Sequence, residues 1–291
     1  MRILLIRHGE SVDNVAGLLA GSRDSPLTNH GVLQIKRLGA HIAKRCETIG
    51  PIKHIFTSNL QRAYQTAEAI AKAIAEVQDS PSHNESPLEV IRLPELREKD
   101  YGSFEGKKYR VKTGNSSDTS PQSDSETNGS MKLRANQFLD HLIHVVDGHV
   151  SDHITVVIVA HGIILGVLLA ALLERFPPRS SSSSTQAGDR GGPPELVAWG
   201  NTGVLQARLE PTSDEPLVDS QVSGDNTGSL AKRRQMALCL TVEFVNNLEH
   251  LEGLKKTRGG IGSAKFDSRQ RTVDSFFTPA SKKRKLEEEK D

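Results

Sequence analysis

Cysteine is nearly absent. The two copies in 291 residues, Cys46 and Cys239, are too few and too far apart for a disulfide framework, which excludes the small secreted scaffolds and points to a reducing, intracellular setting. Aromatic residues make up only 4% of the chain, while Ser, Gly and Asp come in long runs. A core that fills the whole length is therefore excluded, and one domain with disordered insertions and a disordered tail is expected. A surplus of charge is missing too. With a formal net charge of +1 the molecule has no overall field to recruit a polyanion, no direct nucleic-acid binding is expected, and any electrostatic function has to be local. The first apolar run, Ile3 to Ile6, has four residues between Arg2 and Arg7, too few for a signal peptide. Ile154 to Leu173 is the one stretch about as long as a membrane span, roughly 20 residues. Its first half is β-branched, its second half is rich in Leu and Ala, and His161-Gly162 stands between them. That pattern predicts strand, turn and buried helix, and no membrane contact.

What is present begins at residue 1. Met1-Arg2-Ile3-Leu4-Leu5-Ile6 predicts a strand buried on both faces, as in a parallel sheet. Arg7-His8-Gly9-Glu10 would then stand at its carboxyl end, where open α/β sheets bind ligands. An arginine fork beside an imidazole at that point offers an anion site next to a nucleophile. Glu10 to Pro26 reads as a polar loop, and Thr28 as the cap of a helix that turns Val32, Ile35, Leu38 and Ile42 to one side. A second strand is expected over Lys53–Thr57. Ser58 and Gln61 have the spacing of a capping box that opens an alanine-rich helix to about Val77. Arg62 falls in its first turn, where a guanidinium near free N–H groups reinforces an anion site.

Leu93 to Gly106, with its Pro and Gly, predicts an ordered loop, and Glu98 in it is the candidate acid, with Asp100 next in line. A disordered insertion is expected near 113–130, then an amphipathic helix carrying Phe138, Leu139, Leu142, Ile143 and Val146. The strand from Ile154 ends at Ala160-His161-Gly162, a second histidine after a buried strand. A further insertion near 177–194 precedes a predicted hairpin, with Leu196–Trp199 and Val204–Ala207 as strands and Gly200–Gly203 as the turn. A third polar loop near 211–229 leads to a last strand, Leu238–Phe244. His141, His144, His149 and His153 match no common zinc spacing and read as solvated surface residues, so no metal is expected.

Arg7, His8, Arg62, Glu98 and His161 thus offer one kind of chemistry: cationic groups for phosphoryl oxygens, a nucleophile, and a carboxyl for the leaving group. The stretches that carry these residues resemble the histidine phosphatase superfamily, the phosphoglycerate-mutase-like proteins. They are Arg7-His8-Gly9-Glu10-Ser11 with Asn14, Asp24-Ser25-Pro26-Leu27-Thr28 with Gly31, Thr57-Ser58-Asn59-Leu60-Gln61-Arg62-Ala63 with Thr66-Ala67, Leu96-Arg97-Glu98 leading to Gly102 and Glu105-Gly106, and Ala160-His161-Gly162. The resemblance implies an α/β fold with a mostly parallel sheet flanked by helices. It also implies His8 as the nucleophile that forms a phosphohistidine, with Arg7, Arg62 and His161 holding the phosphoryl group with help from Asn14. Glu98 would protonate the leaving group and later activate water, and no cofactor is implied. Lys107, Lys108 and Arg110 follow the Glu-Gly step, but the region beyond lacks the arginine pair of the mutase branch. A phosphatase acting on a phosphorylated substrate is therefore expected, with a phosphoglycerate-type mutase or a catalytically inactive adaptor as the alternatives.

The resemblance runs through a catalytic domain over 1–251, and 252–291 reads as a disordered tail. Within it Gln270-Arg271-Thr272-Val273-Asp274-Ser275-Phe276-Phe277 resembles the motif (PIP box) of proteins that bind the replication sliding clamp (PCNA). One helical turn would put Val273, Phe276 and Phe277 on a single face as an apolar plug led by Gln270. The basic run 282–285, Lys282-Lys283-Arg284-Lys285, is similar to a nuclear import signal, so the expected location is the nucleus, with the cytoplasm left open as a second one.

Overall fold

The structure, a computed structural model, describes residues 1–78, 88–108, 124–146, 153–178, 198–212, 238–256 and 260–267. Six strands form one sheet in the order β3-β2-β4-β1-β5-β6: β1 (Arg2–Arg7), β2 (Ile52–Ser58), β3 (Val90–Leu93), β4 (Thr155–Ala160), β5 (Val204–Pro211) and β6 (Leu238–Asn247). The first four lie parallel, and β5 runs antiparallel to both β1 and β6. The mostly parallel α/β class is therefore what the molecule adopts.

The reason lies in the runs that are apolar on both faces. On β1, Ile3 and Leu5 pack into one core and Leu4 and Ile6 into the other. On β4, Val156 and Ile158 take the first side, Val157 and Val159 the second, the alternation a pleated strand imposes. The first core is closed by α4 (Asn128–Val146) and α5 (Gly162–Arg175), the second by α2 (Asn29–Ile49) and α3 (Gln61–Gln78). Thr28 caps α2 as expected, its hydroxyl accepting from the Gly31 amide at 2.9 Å, and Val32, Ile35, Leu38 and Ile42 are buried.

Several expectations need correction. Glu10–Pro26 is not all loop: Val12–Ala16 forms α1, closed at its start by reciprocal bonds between Ser11 and Asn14. Five residues are too few to show a helical period. The capping box at Ser58 and Gln61 does not close, because Gln61 gives both its amide (2.6 Å) and its side chain (2.5 Å) to Asp24. Strand β3 carries no alternation that stands out. The 113–130 insertion is shorter at its end, since Ser103 donates to Asp124 and Asp100 accepts from Glu126 before α4 starts at Asn128.

The expected hairpin has no partner strand among the described residues. Leu196 and Val197 lie outside them, Trp199 is irregular, and β5 pairs with β1 and β6 instead. The turn itself is real, with the Gly203 amide donating to the Gly200 carbonyl at 3.0 Å.

The segment 260–267, expected to be part of the tail, lies along the start of α2. The carbonyls of Ala264 and Gly262 accept from the amides of Asn29 and His30 at 3.0 Å each, Lys265 bridges Thr28, and the Phe266 amide reaches Leu27. These carbonyls satisfy first-turn amides that no helix can satisfy by itself, a role that a Gly- and Lys-rich composition does not advertise. Most of 177–194 and of 211–229, and the motifs at 270–277 and 282–285, lie outside the described residues.

Candidate functional site

Parallel pairing creates the site. Arg7 sits opposite Ala160 in the β1–β4 register, and the His8 amide donates to the Ala160 carbonyl at 3.0 Å. The next residue of each strand, His8 and His161, therefore emerges at the same edge, and the two rings lie 4.9 Å apart between centroids. Both are buried.

His8 Nδ1 lies 2.7 Å from the Gly9 carbonyl oxygen. A carbonyl can only accept, so Nδ1 carries the hydrogen and Nε2 keeps its lone pair. Arg62 Nε donates to that Nε2 at 3.3 Å. Burial first, then the charges of Arg62 and Arg7, holds the His8 pKa well below the usual imidazole value, against a smaller opposing effect of the Gly9 carbonyl. His161 is likewise held well below, by burial and then by Arg62, His8 and Arg7. Neither of its ring nitrogens has a hydrogen-bond partner. An orphaned buried imidazole next to the buried Arg62 and the half-buried Arg7 calls for a polar ligand.

The guanidiniums are fixed from behind. Arg62 gives Nη1 to the Arg23 carbonyl (2.6 Å) and Nη2 to that of Gly21 (2.8 Å). Burial brings its pKa down to about 10, opposed by Glu98, Asp24 and Asp13, so it stays cationic at neutral pH. Arg7 donates through Nη1 to the Trp199 carbonyl, and its Nε is buried without a hydrogen-bond partner.

Glu98 reaches across to the start of α5. One oxygen accepts from the Ile163 amide (3.1 Å), the other from those of Ile164 (3.2 Å) and Lys99 (2.9 Å). The alternative acid, Asp100, is exposed and accepts from Gly102 instead. Arg7, His8, Asn14, Arg62, Glu98 and Gly162 all line one cavity of about 670 Å³. His161 is not among the lining residues, though its ring lies 4.9 Å from that of His8, and Asn14 Oδ1 accepts from the Ser11 amide and the Asn201 side chain at 3.1 Å each. The sequence motifs thus converge on one place, and its chemistry is that of an anion pocket with a nucleophilic nitrogen and a carboxyl at its edge.

Three residues the motifs did not flag hold this pocket in shape. Arg134 of α4 forks onto Glu126 and gives Nη1 to the carbonyls of Glu95 (2.7 Å) and Arg97 (2.6 Å), clamping the loop that carries Glu98. Thr202 has φ 60, unusual for a β-branched residue. That backbone lets its amide serve the carbonyls of both Arg7 (3.1 Å) and His8 (3.2 Å). His250 supports it, with Nε2 at 2.9 Å from the Thr202 hydroxyl, and burial, followed by the His41 charge, brings its pKa down to about 4. Only the structure reveals these roles, because each depends on a partner 36 residues or more away in the chain.

Among the described residues no group of three or more His, Cys, Asp or Glu side chains is placed to hold a metal ion, and no helix is long and apolar enough to cross a membrane.

Comparison with known proteins identifies the family from sequence and the fold from structure. Residues 3–187 match the model of the histidine phosphatase superfamily, branch 1. The chain is 31% identical over 278 residues to a probable phosphatase of Schizosaccharomyces pombe, covering 94% of this chain and 78% of that one. It is 34% identical over 180 residues to a probable phosphoglycerate mutase, GpmB, of Proteus mirabilis, covering 60% and 75%. In fold it is similar to the solved structure of a mycobacterial hydrolase, with a TM-score of 0.58, 19% identity and coverage of 84% and 98%. The chain belongs to the histidine phosphatase superfamily.

Proposed function

We propose that the protein is a metal-independent phosphomonoester hydrolase that passes the phosphoryl group through His8. His8 Nε2 attacks phosphorus while Arg7, Arg62 and His161, with Asn14, hold the non-bridging oxygens. Glu98 gives a proton to the departing alkoxide, and the same carboxylate then takes one from the water that attacks the phosphohistidine. Alcohol and inorganic phosphate leave, and His8 is restored. The observation that carries this reading is the His8 tautomer: Nδ1–H is tied to Gly9, so Nε2 keeps the lone pair, which accepts from Arg62 Nε at 3.3 Å.

Hydrolysis is favoured over a mutase reaction by the state of the cations near the cleft. Beyond Arg7 and Arg62 the one Lys or Arg among the described lining residues is Lys132, which pairs with Glu174 at 2.8 Å, so no arginine pair is set there for a substrate carboxylate. Incubation of the purified chain with 3-phosphoglycerate and with alkyl phosphates tests this. Release of inorganic phosphate supports the reading; isomerisation without release replaces it with the mutase.

We further propose that Gln270, Val273, Phe276 and Phe277 dock on the sliding clamp and that the basic run at 282–285 directs the protein to the nucleus. The support is the spacing of apolar residues at i, i+3 and i+4 in a charged segment. Because 260–267 packs on the domain, the test uses the full chain. Calorimetry against purified clamp should show binding that a Phe276→Ala/Phe277→Ala double variant loses by at least about 2 kcal/mol. Equal affinity for the two chains would end the clamp proposal.

A further inference from the structure

The cavity is far larger than a phosphoryl group needs, and what lines the rest of it has a consistent character. Of the α5 residues that line it, Ile163, Gly166, Val167, Ala170 and Glu174 recur at the i, i+3, i+4, i+7, i+11 spacing of a single helical stripe, with Gly162 and Ala171 beside them. The opposite stripe, with Ile164, Leu165, Leu168 and Leu172, is buried in the core. This cavity-facing stripe is apolar up to Glu174 and only partly covered: Ile163 at its start is 40% exposed, and Val167 and Ala170 are half-buried. Further lining comes from Leu18, Leu19, Ala20, Tyr101 and Trp199, with Asn128 as a neutral polar side chain among them. An exposed apolar strip that runs away from a charged pocket marks a contact for a ligand.

The far end supplies no free charge. Lys132 and Glu174, both lining residues, are engaged with each other at 2.8 Å. The described lining therefore divides into a cationic floor at Arg7 and Arg62, an apolar wall of about three helical turns, and a neutralised rim.

We propose that this cleft selects phosphomonoesters of uncharged, largely apolar alcohols, an arylalkyl or comparably long hydrocarbon body lying along the α5 stripe, over phosphorylated hydroxy acids and polyols. The assignment rests on the phosphatase reading above and extends it to the part of the substrate that does not react. A charged body would have to break the Lys132–Glu174 pair or lie unpaired against Val167 and Ala170, and a polyol would leave hydroxyls facing methyl groups. A hydrocarbon body meets neither cost and removes Ile163 from water.

The test compares kcat/KM of the full chain on 3-phenylpropyl phosphate, glycerol 1-phosphate and 3-phosphoglycerate. All three lose an alkoxide, so demand on the proton donor is similar and differences report the body. The arylalkyl ester should lead by at least about 30-fold, the order of magnitude that burial of one aromatic ring supplies. Ile163→Asp and Val167→Asp should each cut that ratio at least about tenfold, and Ile163 is exposed enough that its replacement should fold.

Trp199, the chain's single tryptophan, lines the cavity and reports binding without turnover, so its fluorescence is titrated with the non-hydrolysable 3-phenylpropylphosphonate and with inorganic phosphate. Phenyl-dependent quenching without hydrolysis of any ester would support the cleft assignment and overturn the phosphatase reading. Hydrolysis with equal kcat/KM on all three esters, a preference for 3-phosphoglycerate, or a ratio unmoved in both variants would overturn the assignment and leave the phosphatase standing. No hydrolysis and no quenching would overturn both.

Discussion

In the proposed mechanism His8 is prepared for attack by the hydrogen bond on its other nitrogen. The Gly9 carbonyl holds Nδ1–H at 2.7 Å, and burial with two arginines keeps the ring neutral, so Nε2 carries a lone pair, held by Arg62 Nε, without waiting for a base. Glu98 is positioned differently, by three backbone amides, and its role shows in what it is asked to protonate. Glu98→Gln should slow hydrolysis of alkyl phosphates by roughly 10²- to 10⁴-fold, the usual range for a lost general acid. Phenyl phosphates bearing nitro groups, whose leaving oxygens need no proton, should lose less than about tenfold. Equal losses on the two series, read from kcat, would take the acid role away from Glu98. His8, Glu98 and His161 were legible in the sequence because each sits at a chain feature that sequence displays: a strand end, a Pro/Gly-bounded loop, a strand–helix junction. Thr202 and His250 were not, because the φ of a turn and a contact across 48 residues leave no local pattern.

At the scale of elements, most strands and the long helices were readable from apolar runs and periodicity; α1 and β3 are too short to show either, and two other misreadings have a tertiary cause. Gln61 was expected to cap its own helix, but Asp24 takes both of its donors. Trp199 was expected in a strand, but its carbonyl is needed by Arg7. Two elements carry predictions. Gly31, in the first turn of α2, lies so close to the preceding loop that a Cβ would stand 2.1 Å from the Glu10 carbonyl oxygen. Gly31→Ala should therefore cost about 1–3 kcal/mol in urea unfolding as backbone is forced apart. It should also lower kcat, since Glu10 is two residues from His8. Wild-type stability in that variant would show that the loop yields freely. Arg134 of α4 is a positioning residue that acts through Glu98. Arg134→Ala releases the carbonyls of Glu95 and Arg97 and should cost at least about tenfold on alkyl phosphates, with a smaller effect on activated aryl esters. A purely structural role would lower both equally.

Across the whole molecule, folding gathers residues 7, 8, 14, 62, 98 and 161 around one cavity, His8, Arg62 and His161 buried, and makes stability depend on neutral histidines. His250 is brought to about pKa 4 by burial, and His8 and His161 are also held below the ordinary value. Between about pH 6.5 and pH 4 the unfolded chain takes up protons at His250 that the folded one refuses. Stability should accordingly fall as pH drops through that window, by up to about 1.4 kcal/mol per unit for each such histidine. Urea midpoints at pH 7 and pH 5 read this directly, and His250→Gln should flatten the dependence; an unchanged midpoint would mean that these rings protonate in the folded state. The central claim is that the assembled pocket moves a phosphoryl group onto His8. It is tested most directly by rapid quench of the full chain with a ³²P-labelled alkyl phosphate. The account predicts label on the protein that is lost in acid, survives base, maps to His8 and is absent from His8→Ala, which should not turn over. Label on another residue, or full activity in His8→Ala, would contradict it.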